Sequence, residues 1–490
     1  MKHPPSRPPL SPLVLAIDIG TSSLRTALFD GRAQRFIRTT AQQTYPLRIT
    51  PDGGAELSPA VLRQTLLRCL TKTLRSYRSD RTLRSRPIIA VGTSCFWHSL
   101  LGVDETGRAL TPIYTWADSR CHEDAARLRA ELSERAIHAR TGCMVRSSYW
   151  PAKLVWLRRT QPGLFARVAR WMSPGEWLHL DLCGEAGCSY AMASGTGLFN
   201  PSPLQWDAPL LKRCRISPRR LNPLVDGPWL LSNRLSRQFP ELRDALVFSA
   251  IGDGAASNLG SGATTTDLAA LNCGTSGAIR VTRRVKRARA PFGLFCYRVD
   301  SERVLIGGAV SNAGNLRAWC LRELKLPHDV DELDRAMAAP PATGRGLTVL
   351  PFWVSERAPT WPEDVRGTIV GLTQSTSALG ILRATREAVF HRLAQIANLL
   401  PAQRFVVSGG IQKSRVELQL LADVMGRSLI ACSEPEASLR GAAVYALERL
   451  GVTVPPPSAG RVIHPRLRFS RHYAIARRRQ ERLEKLVAGI

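Results

Sequence analysis

An α/β protein of two domains, each built on a copy of one fold, is predicted by three observations. The chain of 490 residues is too long for one ordinary core. A hairpin with a Gly-Thr-Ser turn occurs twice, in "AIDIGTSSLRTALFD" (Ala16 to Asp30) and in "DLAALNCGTSGAIRVTRR" (Asp267 to Arg284). A strand, turn and helix follow later, in "RFVVSGGIQKSRVELQLLADVMG".

The first hairpin reads as a buried strand from Leu13 to Ile19, a turn, and a second apolar segment from Leu24 to Phe29 that stops at Asp30-Gly31. A β-rich segment, Arg35 to Thr40, comes next. Two common phosphate-binding readings are thereby removed, since neither a G-x-x-x-x-G-K-[ST] loop nor a G-x-G-x-x-G opening a helix occurs in this context. A hairpin can still bind phosphate. Gly20 permits close approach, and Thr21, Ser22 and Ser23 offer hydroxyl and backbone donors. Asp18 would repel phosphate directly, but its carboxylate is a hard oxygen ligand for Mg²⁺ or the waters around it.

The second hairpin runs from Asp267 to Cys273, turns at Gly274-Thr275-Ser276, and returns from Gly277 to Arg284. Two such turns in separate halves suggest that both converge on one polyphosphate in a cleft between domains, where small-ligand sites most often lie. In the third element Phe405 to Val407 form a strand, Gly409-Gly410 a turn, and Val416, Leu420, Leu421 and Val424 one face of a helix. Contact with an α-phosphate or adenosine suits that turn, with Ser414 as a polar contact. Taken singly, an ordinary βα connection is the more common explanation of such a turn.

Composition excludes several classes. With 44% hydrophobic and 22% charged residues the chain has a globular balance. No apolar run is long enough to span a membrane, and no secretory leader is evident. The start, "MKHPPSRPPLSP", reads as a disordered tail over residues 1–12. Eleven scattered cysteines lack C-x-x-C pairs and point to free thiols in the cytoplasm. The net charge of +29 is spread along the chain, with dense clusters only at Arg283 to Arg289 and in "RHYAIARRRQERLEKL". These read as a solvated strand end and an exposed helix face. No nucleic-acid module accompanies them, so a nucleic-acid partner is not expected.

The ordered blocks "DIGTSSLR", "GDGAASNLG", "NCGTSGAIR", "GGAVSNAGN", "PFWVSERAPTW", "SGGIQKS" and "EASLRGAA" closely resemble the FGGY carbohydrate kinases, from about Val14 to Leu450. These belong to the superfamily of actin, sugar kinases and heat-shock ATPases. "RSSYWPAKLVWLR", "MSPGEWLHL" and "MASGTGLFN" look most like bacterial gluconokinases. The resemblance implies two ribonuclease-H-like (actin-like ATPase) domains, each a five-stranded mixed sheet flanked by helices, with a nucleotide cleft between them. We place the N-terminal domain at 13–249, the C-terminal domain at 250–450 and a basic tail or helix at 451–490. The resemblance also implies ATP and Mg²⁺ as cofactors, a small sugar or sugar acid as acceptor, and closure of the lobes to exclude water. It leaves a homodimer open as an assembly.

Phosphoryl transfer to a hydroxyl needs in-line placement, neutralised phosphate charge and a proton acceptor. Asp253, in Gly252-Asp253-Gly254-Ala255-Ala256, has only small neighbours, so a sugar hydroxyl can reach its carboxylate. Helix capping is the alternative use of Asp at such a position. Matching to the family's catalytic aspartate favours the base. By the same resemblance Gly20, Thr21, Ser22, Ser23 and Arg25 match the first nucleotide-binding segment, and Gly274, Thr275, Gly314, Gly409, Gly410 and Ser414 the later ones. Asp18 would organise Mg²⁺ through water, and Gly307 and Gly308 would serve close packing.

For the acceptor, Trp97-His98 stand where related kinases carry Met-His or Arg-Glu. Trp97 either stacks on a sugar or fills core space. His98 can exchange hydrogen bonds with hydroxyls. Asp118, Arg120 and Lys153 complete the candidate acceptor site. A sugar acid needs a cation for its carboxylate, for which Arg120, Arg146 and Lys153 are candidates. Glu356, Arg357 and Arg366 read as salt-bridging loop structure without a catalytic role. The leading acceptor is D-gluconate, with xylulose or another polyol as runner-up. A nucleotide-driven switch or a nucleic-acid-binding protein on the same fold is the rival class, and "GDGAASNLG" argues against the former.

Overall fold

The computed structural model describes residues 12–327, 329–338, 346–362 and 365–488. The tail expected to be disordered, 1–12, lies outside the described residues except for residue 12.

Lobe one is organised by a seven-stranded sheet. Its strands are β1 (Leu13–Ile19), β2 (Ser23–Phe29), β3 (Ala41–Thr44), β4 (Ile88–Cys95), β5 (Pro228–Trp229), β6 (Leu246–Phe248) and β7 (Ile251–Gly252). They run in the order β5-β6-β4-β1-β2-β3, with β7 also pairing with β4. All seven residues of β1 are buried, as a continuous apolar run covered on both faces requires. The segment Arg35 to Thr40 departs from expectation. Ile37–Thr39 is a 3₁₀ turn, and the strand begins only at Ala41. The Thr39 hydroxyl accepts from the Leu28 N–H and donates to Phe36 O, a local bonding pattern that competes with a ladder.

Lobe two carries a second seven-stranded sheet: β8 (Leu268–Cys273), β9 (Gly277–Arg284), β10 (Phe295–Arg298), β11 (Arg303–Val310), β12 (Arg404–Ser408), β13 (Ser428–Ala431) and β14 (Val462–Ile463), ordered β10-β11-β9-β8-β12-β13-β14. The duplication is explicit in the pairing. Along β3-β2-β1-β4-β6 the steps are antiparallel, antiparallel, parallel and parallel. Along β11-β9-β8-β12-β13 they are the same. The five strands expected per domain are this shared set, and short strands added around it bring each sheet to seven.

Two helices join the lobes. The first sheet continues through β7, so Ser249 still lies within lobe one, and the chain crosses on α1 (Asp253–Gly260). Against α1 packs α2 (Ala437–Arg449), which also lies on β1 and β4. Their backbones touch: a Cβ on Gly260 would fall 1.7 Å from Ala437 O, and one on Gly441 1.7 Å from Ala256 O. The buried Arg440 guanidinium fastens this crossing by donating to the carbonyls of Ala33, Gly260 and Pro455.

The segment after Leu450 is part of lobe two rather than a tail. β14 extends the sheet, and the terminal helix α3 (Ser470–Ala488) buries Tyr473 and Gln480 and sets Glu484 2.9 Å from the fully buried Arg392. Its arginines Arg471, Arg478, Arg479 and Arg482 are exposed, as are Arg283 and Arg284 at the end of β9. No helix among the described residues is long and apolar enough to cross a membrane.

Candidate active site

The β1–β2 turn closes with Gly20 N–H donating to Ser23 O at 2.9 Å. The Tyr45 hydroxyl donates to Gly20 O, and Trp116 Nε1 donates to the Thr21 hydroxyl at 3.0 Å. Ser22 is exposed and Ser23 buried. At the end of β1 the buried Asp18 uses Oδ2 to accept from Ser438 on α2 (2.8 Å) and to pair with Arg25 (3.3 Å). Arg25 also pairs with Glu436 at 3.4 Å. Its guanidinium therefore pairs with two carboxylates and holds Asp18, the position in which the structure places this expected nucleotide contact.

The second turn is fastened from the other side. Gly314 N–H donates to Gly274 O (2.9 Å) and Asn315 N–H to Thr275 O (3.2 Å). A Cβ on Gly314 would lie 2.5 Å from Gly274 O, so this glycine packs the turn and spends its N–H there. A Cβ on Gly274 would meet only Asn272 Oδ1, at 4.0 Å, and Thr275 is exposed. Gly409 has φ +93°, and a Cβ there would lie 2.7 Å from Cys273 O at the end of β8, whereas one on Gly410 would meet nothing within 4 Å. Ser414 is not turned to a ligand. Its hydroxyl accepts from Glu417 N–H as a helix cap and donates to Asp334 at 3.0 Å.

Between the lobes lies a cavity of about 350 Å³ lined by Thr21, Trp97, His98, Trp116 and Tyr149 from one side and by Asn272, Ser276, Arg280, Ser311 and Arg357 from the other, with Asp253 between them. Asp253 begins α1 but does not cap it; its Oδ1 accepts from Gly254 N–H at 2.8 Å, and Oδ2 has no described hydrogen bond. Burial pushes this carboxyl up to about 6, against the pull of the Arg280 guanidinium and the Gly254 N–H, with Asp18 adding to the rise. Such a value suits a base that must be ionised at neutral pH yet still accept a proton. The sign is explicit. Only the ionised form can take a proton, so kcat/KM is expected to fall tenfold per unit as pH drops below about 6 and to level off above it. A flat profile between pH 5 and 8 would contradict this.

Trp97 is core, with one edge on the cavity. It is 5% exposed, donates from Nε1 to Ala191 O at 3.0 Å, and packs so tightly that a Cβ on Gly252 would lie 1.8 Å from its ring. It backs the Asp253 loop, and both flanking glycines are needed for that approach. His98 holds φ +66° and sets Nδ1 2.5 Å from Gly195 O, so Nδ1 carries the proton and Nε2 is an acceptor. Burial holds it down to about 3, hence neutral.

Three expected acceptor contacts are structural instead. Asp118 is buried and takes the Ala55 N–H and the Arg120 guanidinium, which also binds Glu56 at 2.7 Å. Lys153 is 1% exposed and donates to the carbonyls of Ser147 (2.6 Å) and Ser148 (2.8 Å). These charges satisfy one another or the backbone, and they position Ser119, Ser147 and Ser148, which do line the cavity. Glu356 likewise makes no ion pair with Arg357. Its carboxylate accepts from the N–H groups of Ser311, Asn312 and Arg357.

Arg357 is a cavity residue that the sequence reading assigned to loop structure. It donates to Ser311 Oγ at 3.1 Å and Val310 O at 3.0 Å, and lies over the Trp116 ring of lobe one at 5.8 Å. Arg280 and the hydrogen-bonded pair Tyr149–Tyr297 (2.7 Å) were missed altogether. The arginine carried a signal, a lone charge inside the buried strand "GAIRV". The tyrosines carried none, because they are 148 positions apart. Gly307 and Gly308 do serve packing, against Ile279 O and the Ala358 side chain.

Two duplicated lobes, opposed Gly-Thr-Ser turns and a carboxylate in the cleft define a two-lobed phosphotransferase architecture. The N-terminal domain of the FGGY family of carbohydrate kinases matches residues 13–260, and its C-terminal domain residues 269–448. This chain belongs to that family and is an ATP-dependent carbohydrate kinase. It is similar to a gluconokinase of Bacillus subtilis, 28% identical over 89% of this chain and 88% of that protein. A glycerol kinase of Aromatoleum aromaticum is 29% identical over 88% and 89%. Among solved structures, a gluconate kinase from Lactobacillus acidophilus superposes with a TM-score of 0.90 at 24% identity, covering 98% of each chain. A xylulose kinase from the same organism does so with 0.89 at 24% identity, covering 97% and 98%. At that identity the superpositions speak to the fold alone.

Proposed function

We propose that this kinase phosphorylates D-gluconate to 6-phosphogluconate, with Asp253 as the base. The observation that carries the base is its carboxylate, pushed up to about 6, standing with one unengaged oxygen in a cavity lined by residues of both turns, Thr21 and Ser276. Gluconate rests on the relatives named for it.

Asp253 Oδ2 accepts the proton of the attacking hydroxyl, and His98 Nε2 accepts a hydrogen bond from another hydroxyl. Closure of the lobes would limit access of water, which otherwise competes as nucleophile. The donor set fits Mg²⁺–ATP held mainly through water and phosphate. Asp18 Oδ1 has no described hydrogen bond, Gly274 and Gly410 leave open space for phosphate oxygens, and no cluster of three ligating side chains occurs among the described residues. When bound, that group supplies the γ-phosphoryl and neutralises its charge. Asp18, Thr21 and Gly410 would hold it, with Gly20, Ser22, Ser23, Gly274, Thr275 and Gly409 shaping the two turns and the neighbouring loop. All eleven cysteines are unpaired, which supports the cytoplasm as its location.

A panel of sugar acids, ketoses and polyols in an ADP-release assay tests the acceptor. Gluconate is expected to give the highest kcat/KM. A higher value for xylulose or glycerol would overturn the assignment and leave the family standing.

A further inference from the structure

Three arginines from three separate segments, Arg146, Arg280 and Arg357, line the cavity that contains Asp253. Arg146 binds Glu134 and Val145 O, and Arg357 binds Ser311 and Val310 O. Of the two acids there, Glu356 is taken up by backbone N–H groups. Arg280 differs. Its Nε lies 2.8 Å from where a Cβ on Gly254 would stand, beside the candidate base, and no hydrogen bond from its side chain is described. Burial works against its charge, Arg357 adds repulsion, and Asp253 is the main opposing influence. In the sheet it faces Gly307 across the β9–β11 pair, a neighbour without a side chain that could serve as acceptor. A guanidinium has five donors in a planar fork suited to a carboxylate, and the half-buried Arg280 lines the cavity with that fork free for a ligand. A neutral polyol offers only weak acceptors. An oxyanion satisfies the fork.

We propose that Arg280 is the specificity-determining residue of this site and binds the carboxylate of the acceptor, selecting sugar acids over neutral polyols of equal length. The assignment rests on the kinase reading above but not on gluconate in particular. The same oxyanion chemistry could come from the transferred phosphoryl group, so the experiment must separate the two.

Wild type, Arg280→Gln and Arg280→Lys are to be compared with gluconate, a second sugar acid, the neutral hexitol glucitol and xylulose, measuring kcat/KM for each acceptor and KM for ATP. The ratio of acid to neutral kcat/KM is expected to fall on the order of 10²-fold in Arg280→Gln. Lysine, which keeps the charge without the fork, is expected to recover part of it, with KM for ATP little changed. Equal losses on acid and neutral acceptors, or a loss carried by KM for ATP, would assign Arg280 to the phosphoryl group and overturn the proposal, as would an unchanged ratio. Wild type that turns over another sugar acid but not gluconate removes gluconate and keeps the Arg280 assignment. Wild type that accepts only neutral sugars removes the Arg280 assignment and keeps the kinase. Arg280→Lys preserves the buried charge, so it remains informative if Arg280→Gln does not fold.

Discussion

Asp253→Asn is expected to reduce acceptor-dependent ADP formation by about 10²- to 10⁴-fold, the usual worth of a positioned general base. The amide can still accept from Gly254 N–H, so the loop geometry is retained and nucleotide affinity should change little. Stability should move the other way. The carboxyl rises from 3.8 to about 6 in the fold, so its ionised form is disfavoured there. That cost is absent below the unfolded value, grows as pH rises toward 6, and is constant above it. Relief of the cost in the asparagine variant amounts to at most about 3 kcal/mol at pH 8 and vanishes near pH 3.5. Thermal melts at the two pH values, together with the ADP assay, check both halves. Turnover equal to wild type would remove Asp253 from the chemistry.

Gly441→Ala is expected to be the most damaging small substitution at the junction of the lobes. The added methyl would lie 1.7 Å from a backbone oxygen, Ala256 O, which cannot swing aside as a side-chain tip can. Relief requires α1 and α2 to part. Since α1 begins with Asp253 and α2 supplies Ser438 to Asp18, parting them also shifts the candidate base relative to the candidate metal ligand. A loss of about 3 kcal/mol or more is expected, together with reduced turnover. Gly163→Ala is the control. It meets nothing within 4 Å in its helix, so alanine should be neutral or stabilising by up to about 1 kcal/mol. A Gly441→Ala protein that melts with wild type would show that the crossing tolerates separation.

Local features were legible because they are contiguous. The hairpins, the Gly-Thr-Ser turns, the glycine-flanked Asp253 and the strand before Gly409 are each written within a dozen residues, where alternation and turn chemistry suffice. The candidate residues engaged elsewhere have something in common. Arg25, Asp118, Arg120, Lys153 and Ser414 all bear groups able to bind a ligand, and each is claimed by a partner that pairing along the chain does not reveal: Glu436, Glu56, the Ser147 carbonyl and Asp334 among them. The terminal helix does carry its arginines on an exposed face, as its charge suggests, but Tyr473, Gln480 and Glu484 fall on another, and that face is buried against lobe two.

By itself the sequence determined the duplicated α/β architecture and the kinase family and singled out Asp253 as the candidate base, since these depend on local pattern and on ordered motifs. Only the tertiary structure decided which charges remain available to a ligand. A polar group is spent when any acceptor or donor in three dimensions reaches it, so Arg120 is satisfied by Asp118 and Glu56, whereas Arg280, on the returning strand of the second hairpin, meets the cavity without such a partner.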